Sequence, residues 1–205
     1  MLIIGVTGGV GSGKSTILDE IKKLYNCRII KTDEIANDIK KPGELCYNKL
    51  VFLLGESILL PDKEIDKNKM AKLIFKNKSL LDEVNEILHP EVEKYIDRVI
   101  FEEKKNKNID ILFIEAALLI EVGYKDKFLD ELWYVYADEP SRKNRLKESR
   151  NYSDDKINEI LSSQQTDEGF RYHSDFVIDN SKTVDYAVSQ IKDRLKKISF
   201  MEKNI

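Results

Sequence analysis

Leu2-Ile3-Ile4-Gly5-Val6-Thr7-Gly8-Gly9-Val10-Gly11-Ser12-Gly13-Lys14-Ser15 opens the chain and decides how it folds. The run from Leu2 to Val6 is short, continuous and apolar, and it ends in glycines. That is the pattern of a strand covered on both faces, as in parallel sheets. From Ser15 to Tyr25, Ile17, Leu18, Ile21 and Leu24 recur at helical spacing. Between strand and helix, Gly8 to Ser15 spell G-x-x-x-x-G-K-[ST], in the context that motif requires. Its glycines permit positive φ and close approach, so successive backbone N–H groups can ring a phosphate. The helix N-terminus adds partial positive charge. Lys14 can then reach the β- and γ-phosphates, and the Ser15 hydroxyl can ligate Mg²⁺. The expected nucleotide contacts are therefore Gly9, Val10, Gly11, Ser12, Gly13, Lys14, Ser15 and Thr16. A glycine-rich turn without a ligand is the bland alternative, and motif, order and context together weigh against it.

Working outward, Cys27 to Ile30 reads as a second strand closed by Lys31-Thr32-Asp33. Ile109 to Ile114, Leu132 to Ala137 and Phe176 to Ile178 read as three more buried strands. Strands alternating with helices imply right-handed crossovers and a parallel sheet, so the fold class is α/β. Residues 34–105 are too long for a simple crossover. Their helical periodicities break strongly only at Pro42-Gly43 and His89-Pro90, which predicts an insertion of three or four helices. One helix boundary is expected at His89, because the residue before proline disfavours the helical region. Pro140 to His173 is a second helical excursion, polar and with little apolar surface to anchor it. It carries Arg142, Arg145, Arg150 and Arg171. An amphipathic helix from Val184 to about Lys197 closes the chain. The expected organisation is one domain: a core of about 1–33, 106–137 and 174–205, a helical insertion at 34–105, and a mobile lid at 138–173.

The 205 residues are 41 % apolar and 35 % charged, with 34 basic against 37 acidic side chains and a formal charge of −3. That balance argues against a polyanion-coating protein, so no nucleic-acid partner is expected. Cys27 and Cys46 form no CxxC pattern, and a reducing compartment fits them. No apolar run approaches the ~20 residues of a membrane helix, and the opening run lacks a secretory leader. A soluble cytoplasmic chain is expected.

The remaining chemistry gathers after the strands. Asp33 follows the second strand, at the sheet edge where α/β proteins bind ligands. There it can accept a proton from a substrate hydroxyl, or simply cap the helix from Glu34 to Ile39. Glu115 ends the third strand, where an acidic residue approaches Mg²⁺. Glu121, shortly after it, could touch a second substrate, whereas Leu118 and Leu119 read as packing residues. His89 is either a satisfied structural histidine or a donor to a substrate phosphate. The arginines after Pro140 are of the type that neutralises a transferring phosphoryl group, and a solvated helix face is their alternative. Asp179-Asn180-Ser181 is turn chemistry that could also meet an adenine edge. No D-x-x-G occurs, and Asn106-Lys107-Asn108-Ile109-Asp110 has one residue too many for N-K-x-D, so a guanine switch is not expected.

Along nearly its whole length the chain resembles the dephospho-coenzyme A kinases. The landmarks are Thr7 to Ser15, Thr32-Asp33-Glu34-Ile35-Ala36, Pro42-Gly43, His89-Pro90, Leu118-Leu119-Ile120-Glu121, Gln164 and Val177-Ile178-Asp179-Asn180. The resemblance implies a three-layer P-loop kinase fold with a five-stranded parallel sheet, a helical substrate-binding insertion and a helical lid. It also implies ATP- and Mg²⁺-dependent phosphorylation of the ribose 3′-hydroxyl of dephospho-CoA. By position, Lys14 and Ser15 would serve ATP and Mg²⁺, and Asp33 would be the base. His89, Leu118, Leu119 and Glu121 would face dephospho-CoA. Arg145 and Arg150 would belong to the lid, with Arg145 at the transferring group, and Asn180 would lie near the nucleotide base. The chain departs from the family pattern at Lys31, where an acid often stands, at Asn37 in place of arginine, and at Ala117 in place of proline. Its two lid arginines also stand one residue further apart. A kinase of another small metabolite, or a non-catalytic ATP-binding module, remains the alternative at this point.

Overall fold

The computed structural model describes residues 1–75, 77–116, 119–120 and 122–202, the last four by backbone alone. In chain order the elements are β1 (Leu2–Thr7), α1 (Lys14–Leu24), β2 (Cys27–Lys31), α2 (Thr32–Asp38) and α3 (Tyr47–Leu54), then a 3₁₀ turn (Glu56–Ile58). They continue with α4 (Lys67–Phe75), α5 (Lys78–Asn106), β3 (Ile111–Glu115), α6 (Tyr124–Phe128) and β4 (Glu131–Tyr136). The last are α7 (Glu139–Arg150), α8 (Asp154–Ser162), α9 (Asp167–His173), β5 (Phe176–Asp179) and α10 (Val184–Glu202). The chain divides into two compact units, residues 1–30 with 108–205, and residues 31–107.

The first unit is built on a five-stranded sheet of order β2-β3-β1-β4-β5. β1 pairs in parallel with β3 on one side and β4 on the other, and β4 pairs in parallel with β5. The apolar strand runs explain the arrangement, since a strand covered on both faces needs helices above and below it. Ile17, Leu18 and Ile21 of α1 and Ala187, Ile191 and Leu195 of α10 pack against Ile4, Val6, Phe113, Trp133, Val135 and Ile178. Trp133 sits fully buried between Phe113 and Phe176, edge-on to both at centroid distances of 5.9 and 5.4 Å. β1 is central, so the loop that follows it leaves the carboxyl edge from the middle of the sheet, where ligands bind in open α/β folds.

The second unit is helical and has its own core of Leu50, Leu54, Ile58, Met70, Val84 and Leu88. Here the expected boundary at His89-Pro90 does not occur, for α5 runs unbroken from Lys78 to Asn106 with Pro90 inside it. An internal proline removes one hydrogen bond and crowds the preceding turn, at a cost of about 3 kcal/mol. Val84, Leu88, Val92, Ile96 and Val99 are all buried on one continuous stripe. Five buried aliphatic side chains, each worth about 1.5–3 kcal/mol, outweigh that local cost.

Two more expectations change. Asp33 does not cap a helix: α2 starts at Thr32 with Lys31 at its N-cap, which places Asp33 inside the first turn. The segment 138–173 is not short of apolar anchors either, since Leu146, Ile157 and Phe170 are buried. Its three short helices each begin at a side-chain cap, Asp138, Ser153 and Thr166, which accept from Ser141 N, Lys156 N and Gly169 N. Cys27 and Cys46 are free thiols. No described helix is long and apolar enough to cross a membrane.

Candidate active site

The glycine-rich loop starts where β1 ends and closes on α1. Gly13, at the boundary of α1, has φ +91°, in the left-handed region where a side chain is strained. A β-carbon there would also lie 2.3 Å from Asn180 Nδ2. At Gly9 a β-carbon would lie 2.3 Å from Arg142 Nη2. Neighbours therefore press on the loop at both glycines, and at Gly13 the left-handed backbone by itself calls for glycine. Lys14 Nζ donates to Gly8 O at 2.6 Å and to Gly9 O at 3.4 Å, so its ammonium folds back along the loop. Ser15 and Thr16, in the first turn of α1, are exposed.

Those neighbours are side chains from distant parts of the chain. Arg142 Nε donates to Val10 O at 2.9 Å, and its Nη2 donates to Gln164 Oε1. The same Gln164 oxygen accepts from Val10 N at 3.1 Å. Arg145 Nη1 donates to Ser12 O at 3.2 Å and Gly11 O at 3.4 Å, and its Nη2 donates to Asn180 O at 2.7 Å. Asn180, just past β5 and only 2 % exposed, donates from Nδ2 to Ser12 O at 2.7 Å. Two guanidinium groups are thus held at the phosphate loop. Burial pushes the Arg142 guanidinium below its ordinary range, with Tyr134, Glu139 and Asp167 offsetting this. Ser12 Oγ and Asn180 Oδ1 are buried without a hydrogen-bond partner among the described residues. Such groups are costly, and a loop shaped for a polar ligand is where that cost is tolerated.

The start of α7 aims the arginines. Asp138 Oδ1 accepts from Ser141 N at 2.7 Å, while Asp138 N donates to Ser181 Oγ at 3.0 Å, tying α7 to the turn after β5. The hydrogen bond from Ser141 holds the Asp138 carboxyl below its ordinary range. Further along, Phe170 stacks on Tyr134 at 4.7 Å, and Arg171 lies over the Tyr136 ring at 4.7 Å. Burial first, and the Asp167 carboxylate second, push the Tyr134 phenol well up. Arg171 therefore secures α9 to the sheet and does not reach the loop.

Of the residues expected from the sequence, Gly9 to Lys14, Arg145 and Asn180 come together here. Asn180 does so by holding Ser12. Arg150, expected on the nucleotide, is exposed at the end of α7 with its guanidinium over Tyr152 at 5.9 Å. Arg142 takes the second place on the loop. The signal was available in the spacing: at about 100° per residue, Arg142 lies some 60° from Arg145 around the helix and Arg150 some 140°. Gln164 was visible only as a landmark, and its contact with Val10 gives it a place.

The other candidates are placed singly. Glu115 ends β3 in register with Val6, the last-but-one residue of β1. Leu119 is fully buried, which makes it a packing residue. Leu118 and Glu121, like the departure at Ala117, lie outside the described residues. Asp33 is exposed in the first turn of α2. His89 is half-buried in α5, and burial pushes its imidazole below the ordinary value despite Glu93. No group of three or more His, Cys, Asp or Glu that could hold a metal occurs among the described residues. A hydroxyl at Ser15 and a carboxylate at Glu115 are hard oxygen donors of the kind Mg²⁺ takes alongside water and substrate phosphates, so the donor set fits that ion.

The family model described as dephospho-CoA kinase matches residues 2–185. A dephospho-CoA kinase of Carboxydothermus hydrogenoformans is 36 % identical over 195 residues, covering 95 % of this chain and 93 % of that one. One from Streptococcus mutans is 32 % identical over 200 residues, covering 96 % and 97 %. Among solved structures, a dephospho-CoA kinase from Campylobacter jejuni superposes with a TM-score of 0.68 at 23 % identity, covering 99 % of this chain and 98 % of that one. At that identity the likeness speaks for the fold, a P-loop kinase.

Proposed function

The chain belongs to the dephospho-CoA kinase family, and we propose that Lys14, Asp33, Arg142 and Arg145 carry the reaction. That reaction is ATP-dependent phosphorylation of the ribose 3′-hydroxyl of dephospho-CoA, giving CoA and ADP as the last step of coenzyme A synthesis. The observation that supports this choice of residues most is the seating of Arg142 and Arg145 on a complete phosphate loop.

Phosphoryl transfer asks mainly for positioning and charge stabilisation, because the transition state is loose and its charge spreads over the phosphoryl oxygens. Loop N–H groups and Lys14 hold the polyphosphate. Arg142 and Arg145 bring positive charge to the group in transit, and closure of 138–173 over it excludes water. Asp33 takes the proton of the 3′-hydroxyl as that oxygen bonds to phosphorus and ADP departs. Mg²⁺, when bound with ATP, neutralises phosphate charge, and Ser15 and Glu115 are the residues that would hold it. His89 serves the acceptor as a neutral imidazole, and the reaction belongs to the cytoplasm. The test is ADP release with a panel of acceptors. Release with dephospho-CoA alone is expected. Release with a nucleoside monophosphate, or ATP binding with no acceptor-dependent release, refutes the proposal.

A further inference from the structure

The second compact unit carries charge that the reaction above does not use. Between the end of α2 and the start of α4 lies a cavity of about 100 Å³ lined by Asn37, Lys40, Lys41, Glu64, Ile65 and Lys67. A cavity needs about 10–15 Å³ of such space to hold one water, so this one has room for several. It is a small opening lined by lysines, of the kind an anionic group can reach into from solvent.

The three lysines differ in what answers their charge. Lys41 Nζ is held by Asp38 at 2.7 Å. Lys40 is half-buried, yet among the described residues no carboxylate stands within ion-pair distance of it or of Lys67. Burial and the Lys67 charge push the Lys40 ammonium down, and Asp33 and Cys46 offset this only in part. Asp66, beside Lys67, uses its carboxylate to cap α4, accepting from Asn68 N at 2.9 Å and Lys69 N at 3.1 Å. Glu64 is exposed at the rim and acts on Lys41. Two unanswered ammonium groups at one small cavity repel each other, and a multivalent anion between them turns that repulsion into attraction.

We infer that Lys40 and Lys67 form the subsite for the diphosphate of the acceptor, the group next to the ribose whose hydroxyl reacts. The inference rests on the proposed function. Asp33 ties the cavity to the acceptor, because its charge is felt at Lys40. Asp33 lies in the first turn of α2, and Lys40 stands just past the C-cap residue Ile39 at its other end. A base at the 3′-hydroxyl and a cation pair at the 5′-diphosphate need be separated only by one ribose.

The test is steady-state kinetics of Lys40→Ala, Lys67→Ala and the arginine variants at both positions. Each alanine should raise KM for dephospho-CoA about 10-fold, the scale of one charge-assisted contact. KM for ATP should hold, and arginine should restore most of the loss. Inorganic diphosphate, with magnesium in excess, should compete with dephospho-CoA, and the double alanine variant should lose that competition. Dephospho-CoA kinetics unchanged by the alanines, or KM rising equally for both substrates, overturns the subsite. Diphosphate inhibition that depends on the lysines but is non-competitive with dephospho-CoA assigns the cavity to a free anion and overturns it too. If the unaltered protein does not phosphorylate dephospho-CoA, the functional reading itself fails, and this assignment fails with it.

Discussion

Arg142→Ala should undock the lid while Arg150→Ala should not. Arg142 joins α7 to the loop through Nε–H to Val10 O at 2.9 Å and through Nη2–H to Gln164, which itself accepts from Val10 N. Hydrogen bonds from a charged donor contribute about 1.5–3 kcal/mol each. Arg142 is only partly buried, so solvent screening places both near the lower end, about 3 kcal/mol together. At about 1.4 kcal/mol per tenfold, the docked state loses roughly 10²-fold in population relative to open forms. Native-state amide exchange across 139–173 reads this directly, and exchange there should quicken about 10²-fold in Arg142→Ala. The exposed Arg150 should leave exchange as in the unaltered protein. In parallel, kcat/KM for ATP should fall by a comparable factor for Arg142→Ala and far less for Arg150→Ala. Unchanged lid exchange in Arg142→Ala, or equal effects of the two substitutions, refutes the assignment.

Gly13→Ala should lower the melting temperature by roughly 5–15 °C. Its strained φ of +91° costs about 1–2 kcal/mol, and displacing Asn180 from Ser12 O adds about 1–3. A melting point equal to the unaltered protein's would show that the loop yields freely. Asp33→Asn should cut kcat about 10²–10⁴-fold with little change in melting temperature, because Asp33 is not the cap of α2. Full turnover in that variant excludes Asp33 as the base. His89 has a folded-state pKa below its unfolded value, so on acidification the unfolded chain takes up its proton first. Stability should therefore fall as pH drops through about 6.5 and below, and His89→Gln should flatten that part of a melting-temperature profile. An identical slope in the variant shows that other groups set it.

What could be read along the chain was whatever short-range pattern encodes. The five apolar runs predict β1 to β5 to within about two residues, and for β1, β3 and β4 the reason is burial on both faces, which leaves a continuous apolar signature. The phosphate loop is legible for the same reason: glycines, lysine and serine act within one turn of each other. The insertion was legible as helical, but a local rule misplaced a boundary at His89-Pro90, where the buried stripe of α5 carries the helix through. Tertiary structure decided what meets the loop. Strand patterns do not state the order in which strands lie, and the sheet order places β4 beside β1 and β5 beside β4. α7 therefore begins next to the loop, and so does the turn after β5. From there Arg142, Arg145 and Asn180 reach carbonyl oxygens more than a hundred residues away in sequence. Arg142 and Arg150 are the same kind of residue on the same helix. They differ in role because a helix turns about 100° per residue and only one of its faces meets the loop.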